Sequence, residues 1–193
     1  MAERRIQLPL SAEDLAGLRA GESVLLNGPL LTGRDAAHKR LFAAVQAGNE
    51  LPVELKGETI YYVGPCPTMP GRIIGSAGPT TSSRMDSYTP ALLKLGLKGM
   101  VGKGQRSQDV IDAMVKYQAV YWAALGGAGA LIANSIVKAE VLAYPDLGPE
   151  AIYRLEVRDL PVIVAIDSLG NDLYQMGRKE YARLSSGVGG PVF

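Results

Sequence analysis

Short apolar runs, each closed by glycine, proline or a polar turn, recur along the whole chain and limit its fold more than any other feature. Residues 5–10, 24–26, 30–32, 59–63, 100–101, 120–123, 138–143, 152–157 and 161–166 read as strands, with Asn27-Gly28-Pro29 as a turn or bulge inside the second pair. Helical patterns separate some of these runs and not others. Ser11, Glu13 and Asp14 open a short helix to about residue 18. Residues 36–47 place Leu41, Ala44 and Val45 on one face behind an Asp35 cap. Further helices are expected over 83–95, after Ser107, after the glycine-rich stretch that starts at residue 126, and over 172–184. Such an order is too rich in strands for a simple βαβ repeat and predicts a layered α/β domain with a mixed sheet. With 193 residues, we expect a single domain over 1–184 and a glycine-rich tail over 185–193 that is mobile or draped on a partner.

The stretch 75–85, GSAGPTTSSRM, lies near the middle of this pattern. It combines two glycines, a proline, the hydroxyls of Thr80, Thr81, Ser82 and Ser83, and the guanidinium of Arg84. Where such a turn opens a helix, a hydroxyl can cap the first turn and free backbone N–H groups can face an anion. The same letters also suit a capped helix after a Gly-Pro turn.

Arg34 and Lys103 occupy comparable places, each between an apolar run and a helix, where α/β proteins commonly put ligand-binding groups. Each could equally be a solvated charge. Arginines match planar carboxylates and a lysine adds a point charge, so the three cations together suit a dicarboxylate. His38, the single histidine, falls one turn from Arg34 as a proton-transfer residue or a supporting neighbour. Neither Gly102-Lys103-Gly104 nor the glycines of 126–129 has the spacing of a nucleotide-binding loop.

Composition excludes several classes of function. Lys plus Arg number 20 against 19 Asp plus Glu, so no general electrostatic case exists for nucleic acid or a membrane surface. No apolar run approaches the roughly 20 residues of a membrane-spanning helix, and the first ten residues lack a signal-peptide core, which makes the cytoplasm the expected location. One cysteine and one histidine cannot supply the three or four ligands of an ordinary zinc or iron–sulfur site. Cys66, with no activating neighbour in sequence, is expected to be a small filler and not a site residue.

Several segments resemble the β subunit of class I iron–sulfur hydro-lyases of the fumarate hydratase and L-tartrate dehydratase type. They are GRDAAHKR at 33–40, YYVGPCP at 61–67, GPTTSSRMDSY at 78–88, GKG at 102–104, and the blocks 143–157 and 163–174. The resemblance covers nearly the whole chain and implies a swivelling β/β/α fold. It implies a partner α subunit in an α2β2 assembly, which holds a [4Fe-4S] cluster on three cysteines and uses its open iron as a Lewis acid. It further implies that Arg34, Arg84 and Lys103 bind substrate carboxylates, that Thr80 is the catalytic base, and that His38, Thr81 and Asp86 support them. A hydroxyl is too weak a base alone and needs a neighbour to share its proton. The expected reaction is reversible hydration of fumarate to (S)-malate. L-Tartrate dehydration, a non-catalytic dicarboxylate-binding module and a purely structural role are the alternatives.

Overall fold

The computed structural model describes residues 4–185. Strand β1 (Arg4–Gln7) and helix α1 (Ala12–Gly17) come first, the helix opened by a reciprocal Ser11–Asp14 capping box. Then follow β2 (Ser23–Thr32), α2 (Asp35–Gln46), β3 (Thr59–Tyr61), α3 (Thr89–Lys94), β4 (Gly99–Gly102), α4 (Gln108–Tyr117), β5 (Val120–Ala123), α5 (Gly129–Asn134), β6 (Ile136–Ala143), β7 (Ile152–Ile166) and α6 (Leu173–Ser185). Short 3-10 turns cover Ser82–Met85 and Pro145–Glu150. Apart from Ser185, the expected C-terminal tail lies outside the described residues.

The seven strands make one mixed sheet in the order β1-β2-β3-β4-β5-β7-β6, and β2 pairs β7 as well. Pairs from β1 to β5 are parallel, while β7 runs antiparallel to β2, β5 and β6. Because β7 bonds both β2 and β5, the strands β2-β3-β4-β5-β7 close on themselves, which gives the expected α/β fold a ring of strands at its centre.

Alternation along the strands sorts two cores. Tyr61, Val101, Trp122 and Val164 point into the folded-over sheet with Leu26 and Leu30. Their neighbours Ile60, Tyr62, Met100 and Tyr121 face outward, under Leu41 of α2, Leu92 and Leu93 of α3, and Val110 and Met114 of α4. One apolar layer therefore lies between strands and the other between strands and helices.

Three sequence expectations are corrected. The continuous helix over 83–95 is broken into the 3-10 turn and α3, because Pro90 stands in the first turn of α3 and has no N–H to continue a helix through it. Residues 152–157 and 161–166 are one strand, β7, passing through Asp159 at φ 51°. Arg5 and Asn27 bond the Asp159 carboxylate and Asn27 accepts its N–H, which holds this unusual backbone in line. The break at 27–29 is a bulge within a single β2.

Candidate functional site

Strand β2 delivers Arg34 to the start of α2, and the backbone of that junction is fixed from behind. The Arg34 carbonyl accepts both the backbone N–H of His38 (2.9 Å) and its ring Nδ1–H (3.0 Å). His38 is fully buried, edge-on to Tyr62 at 5.2 Å. Burial holds its pKa down to about 4, so the ring is neutral near pH 7, with Nδ1 carrying the hydrogen and a buried Nε2 that has no partner. The geometry makes His38 a prop for Arg34.

The Arg34 side chain crosses Gly64, where a Cβ would lie 2.9 Å from both its Cδ and Nη1. Its Nε is 3.4 Å from an oxygen of Asp35 and 3.4 Å from Glu150. Arg84, at the end of the 3-10 turn, donates through Nε to the other Asp35 oxygen at 2.8 Å. A single carboxylate thus spans the two guanidiniums and engages both at Nε, while their Nη groups have no hydrogen-bond or ion-pair partner among the described residues. Asp35 is the first residue of α2 and not its cap; the N–H of Ala36 is satisfied by Glu150 at 2.7 Å.

Thr80 and Lys103 are joined by backbone. The Lys103 N–H donates to the Thr80 carbonyl (3.2 Å) and the Ser82 N–H donates to the Lys103 carbonyl (2.9 Å), a parallel bridge centred on Thr81. The Thr80 N–H donates to Tyr62 at 2.8 Å. These bonds occupy the N–H groups of Thr80 and Ser82 within the fold, so neither is free to face an anion. They also remove the capping alternative, since the residue flanking the 3-10 turn is Thr81 and its side chain caps nothing. Among the described residues, the Thr80 hydroxyl has no hydrogen-bond partner and Lys103 has no ion-pair partner.

Asp86 belongs to a buried brace beneath this surface. It accepts from Arg106 Nε at 2.7 Å and from the Ser107 N–H at 2.7 Å. The Arg106 side chain is 0% exposed, donates to Thr89 Oγ1 at 2.8 Å and to the Tyr62 hydroxyl at 3.3 Å, and lies over the rings of Tyr62 and Tyr121. Sequence reasoning missed Arg106, Glu150 and the bridging role of Asp35. An arginine among turn residues carries no local sign of burial. Ser107 stands at the start of α4 as expected, without a side-chain cap.

Arg34 and Thr80 are half-buried, and Arg84 and Lys103 are exposed, so these groups form open surface. A cleft of about 660 Å³ runs between residues 66–76 and α5, and contains none of the four. Cys66, at its rim, is exposed and is not the small filler expected.

Residues 2–177 match the family model described as Fumarase C-terminus. The chain belongs to this family. It is 45% identical over 152 residues to the anaerobic class I fumarate hydratase of Escherichia coli K12, covering 78% of this chain and 28% of that one. Fumarate hydratase 2 of Leishmania major is 40% identical over 164 residues, with 84% and 29% covered. A protein of Methanocaldococcus jannaschii with the provisional name L(+)-tartrate dehydratase subunit beta is 36% identical over 187 residues, with 93% and 96% covered. The chain therefore spans less than a third of these two fumarate hydratases and nearly all of the M. jannaschii protein.

A single cysteine, and no group of three His, Cys, Asp or Glu placed to hold a metal among the described residues, do not fit a cluster held by this chain. No helix among the described residues is long and apolar enough to cross a membrane.

Proposed function

We propose that this chain is the β subunit of a cytoplasmic hydro-lyase that interconverts fumarate and (S)-malate in an α2β2 assembly, with a [4Fe-4S] cluster on the α subunit. The convergence of Arg34 and Arg84 on Asp35, next to a Thr80 stitched to Lys103, carries this reading. The Nη edges of the arginines suit the planar carboxylates of the substrate, and Lys103 neutralises the remaining charge. In this reading Thr80 is the group that takes a proton from C3 of malate or returns it.

Its hydroxyl needs help, because an unassisted alcohol is a poor base. No group among the described residues is bonded to it, so the proton acceptor behind Thr80 is assigned to the partner. The open surface argues in the same direction: four polar groups without a second wall suit a site completed by another protein.

Anaerobic assembly with a cluster-loaded α subunit tests the proposal. Malate–fumarate interconversion by the complex and by neither chain alone is expected. A complex that dehydrates tartrate and not malate would replace the substrate. That second reading has one observation in its favour, the near-complete mutual coverage with the M. jannaschii protein. An inactive complex would refute both.

A further inference from the structure

Tyr121 ends in a hydroxyl that touches both halves of the candidate site. Its ring is fully buried at the outward face of β5, where a phenol needs hydrogen-bond partners of its own. It has two. The hydroxyl donates to the Gly104 carbonyl at 2.8 Å and lies 2.8 Å from Ser82 Oγ, which is then the donor to it. Ser82 is itself fully buried, and its Oγ lies where a Cβ on Gly102 would come within 2.0 Å, so the contact needs a glycine on β4. One oxygen thus connects the segment holding Thr80 and Arg84 with the turn holding Lys103.

We propose that Tyr121 is a positioning residue: its hydroxyl, through Ser82 and Gly104, sets the placement of Thr80 and Arg84 relative to Lys103. The proposal rests on the hydro-lyase reading for its effect on turnover. Two backbone bonds already join the segments at Thr80, Ser82 and Lys103, but they leave a ladder of only one bridge that can shear at the open surface. The Tyr121 hydroxyl anchors both sides of that ladder to the core. Burial raises its pKa above the ordinary phenol value, so the donor persists at any working pH. Arg106 over the ring limits its movement.

Tyr121→Phe removes one oxygen and keeps the ring, and Ser82→Ala removes the other member. Hydrogen exchange of the full chain should show the amides of Ser82 and Lys103 opening at least about tenfold faster in either variant, with the α4 amides unchanged. In the assembled enzyme kcat should fall about tenfold to a hundredfold with KM changed by less than about threefold, since small misplacement of reacting groups is costly. The double variant should lose no more than either single one. A lower melting temperature with unchanged kcat and unchanged exchange at Ser82 and Lys103, or strictly multiplicative losses, would overturn the positioning role. A parental complex inactive on both malate and tartrate would instead overturn the hydro-lyase reading. If Tyr121→Phe does not fold, Ser82→Ala decides by the same measurements.

Discussion

Arg106→Met replaces a buried guanidinium by an apolar chain of similar length and leaves Asp86 without its charge partner. Removing one member of a buried ion pair costs about 3 to 5 kcal/mol. The Asp86 side chain keeps the Ser107 N–H and is 13% exposed, so the lower end applies. Thr89 loses a donor and still bonds the Met85 carbonyl, which adds little. We therefore expect a loss of about 3 kcal/mol, or a melting temperature lower by about 6 to 12 °C in a chain of this size. Adding Asp86→Asn removes the stranded charge and keeps an acceptor for Ser107, so the double variant should recover part of the loss. Thermal unfolding of the full-length variants followed by circular dichroism is the assay. Melting within about 2 °C of the parent for Arg106→Met, or a double variant that simply sums the two losses, would refute the view of Arg106 and Asp86 as a coupled buried pair.

Arg84→Lys should lower kcat/KM of the assembled enzyme about tenfold to a few hundredfold, because a lysine cannot hold Asp35 and clamp a carboxylate together; its stability should hardly move, as the Arg84 side chain is 49% exposed. Unchanged steady-state kinetics would make Arg84 a surface residue. Thr80→Val should cut kcat about 10² to 10⁴ fold with a nearly unchanged melting temperature, since the hydroxyl supports no described contact; retained turnover would remove Thr80 from the mechanism. His38 binds a proton below about pH 6.5 in the unfolded chain and only below about pH 4 in the folded one. Its contribution to stability is therefore complete above pH 6.5 and falls between 6.5 and 4, by at most about 3 kcal/mol. The difference in melting temperature between the parent and His38→Gln should shrink across that window, and a constant difference would refute the buried neutral imidazole.

The cations and Thr80 were legible because their signal is local: glycines, hydroxyls and a charge between a strand pattern and a helix pattern. Pro90 was also legible, yet the apolar spacing of Met85, Leu92 and Leu93 suggested one helix through it. The unity of β7 was not, since residues 158–160 carry no clear strand pattern, and what keeps the strand continuous there, the pairing with β2 and the contacts from Arg5 and Asn27, comes from residues distant in sequence. Glu150 and Arg106 act across the fold, Glu150 on a helix start 114 residues away, and no local pattern reports such a partnership.

The closure of the strand ring has a consequence for biosynthesis. Leu25 of β2 is opposite Pro161 of β7, so a ribosome must make most of the chain before these strands can meet. By the time Lys103 has emerged, Arg34, Thr80 and Arg84 have all been translated, but β2 still lacks its antiparallel neighbour. Until residues 152–166 follow, the nascent chain carries an unpaired apolar strand edge, the feature that favours association with other unfinished chains. High expression should therefore depend on chaperone capacity during translation more than on the stability of the finished fold.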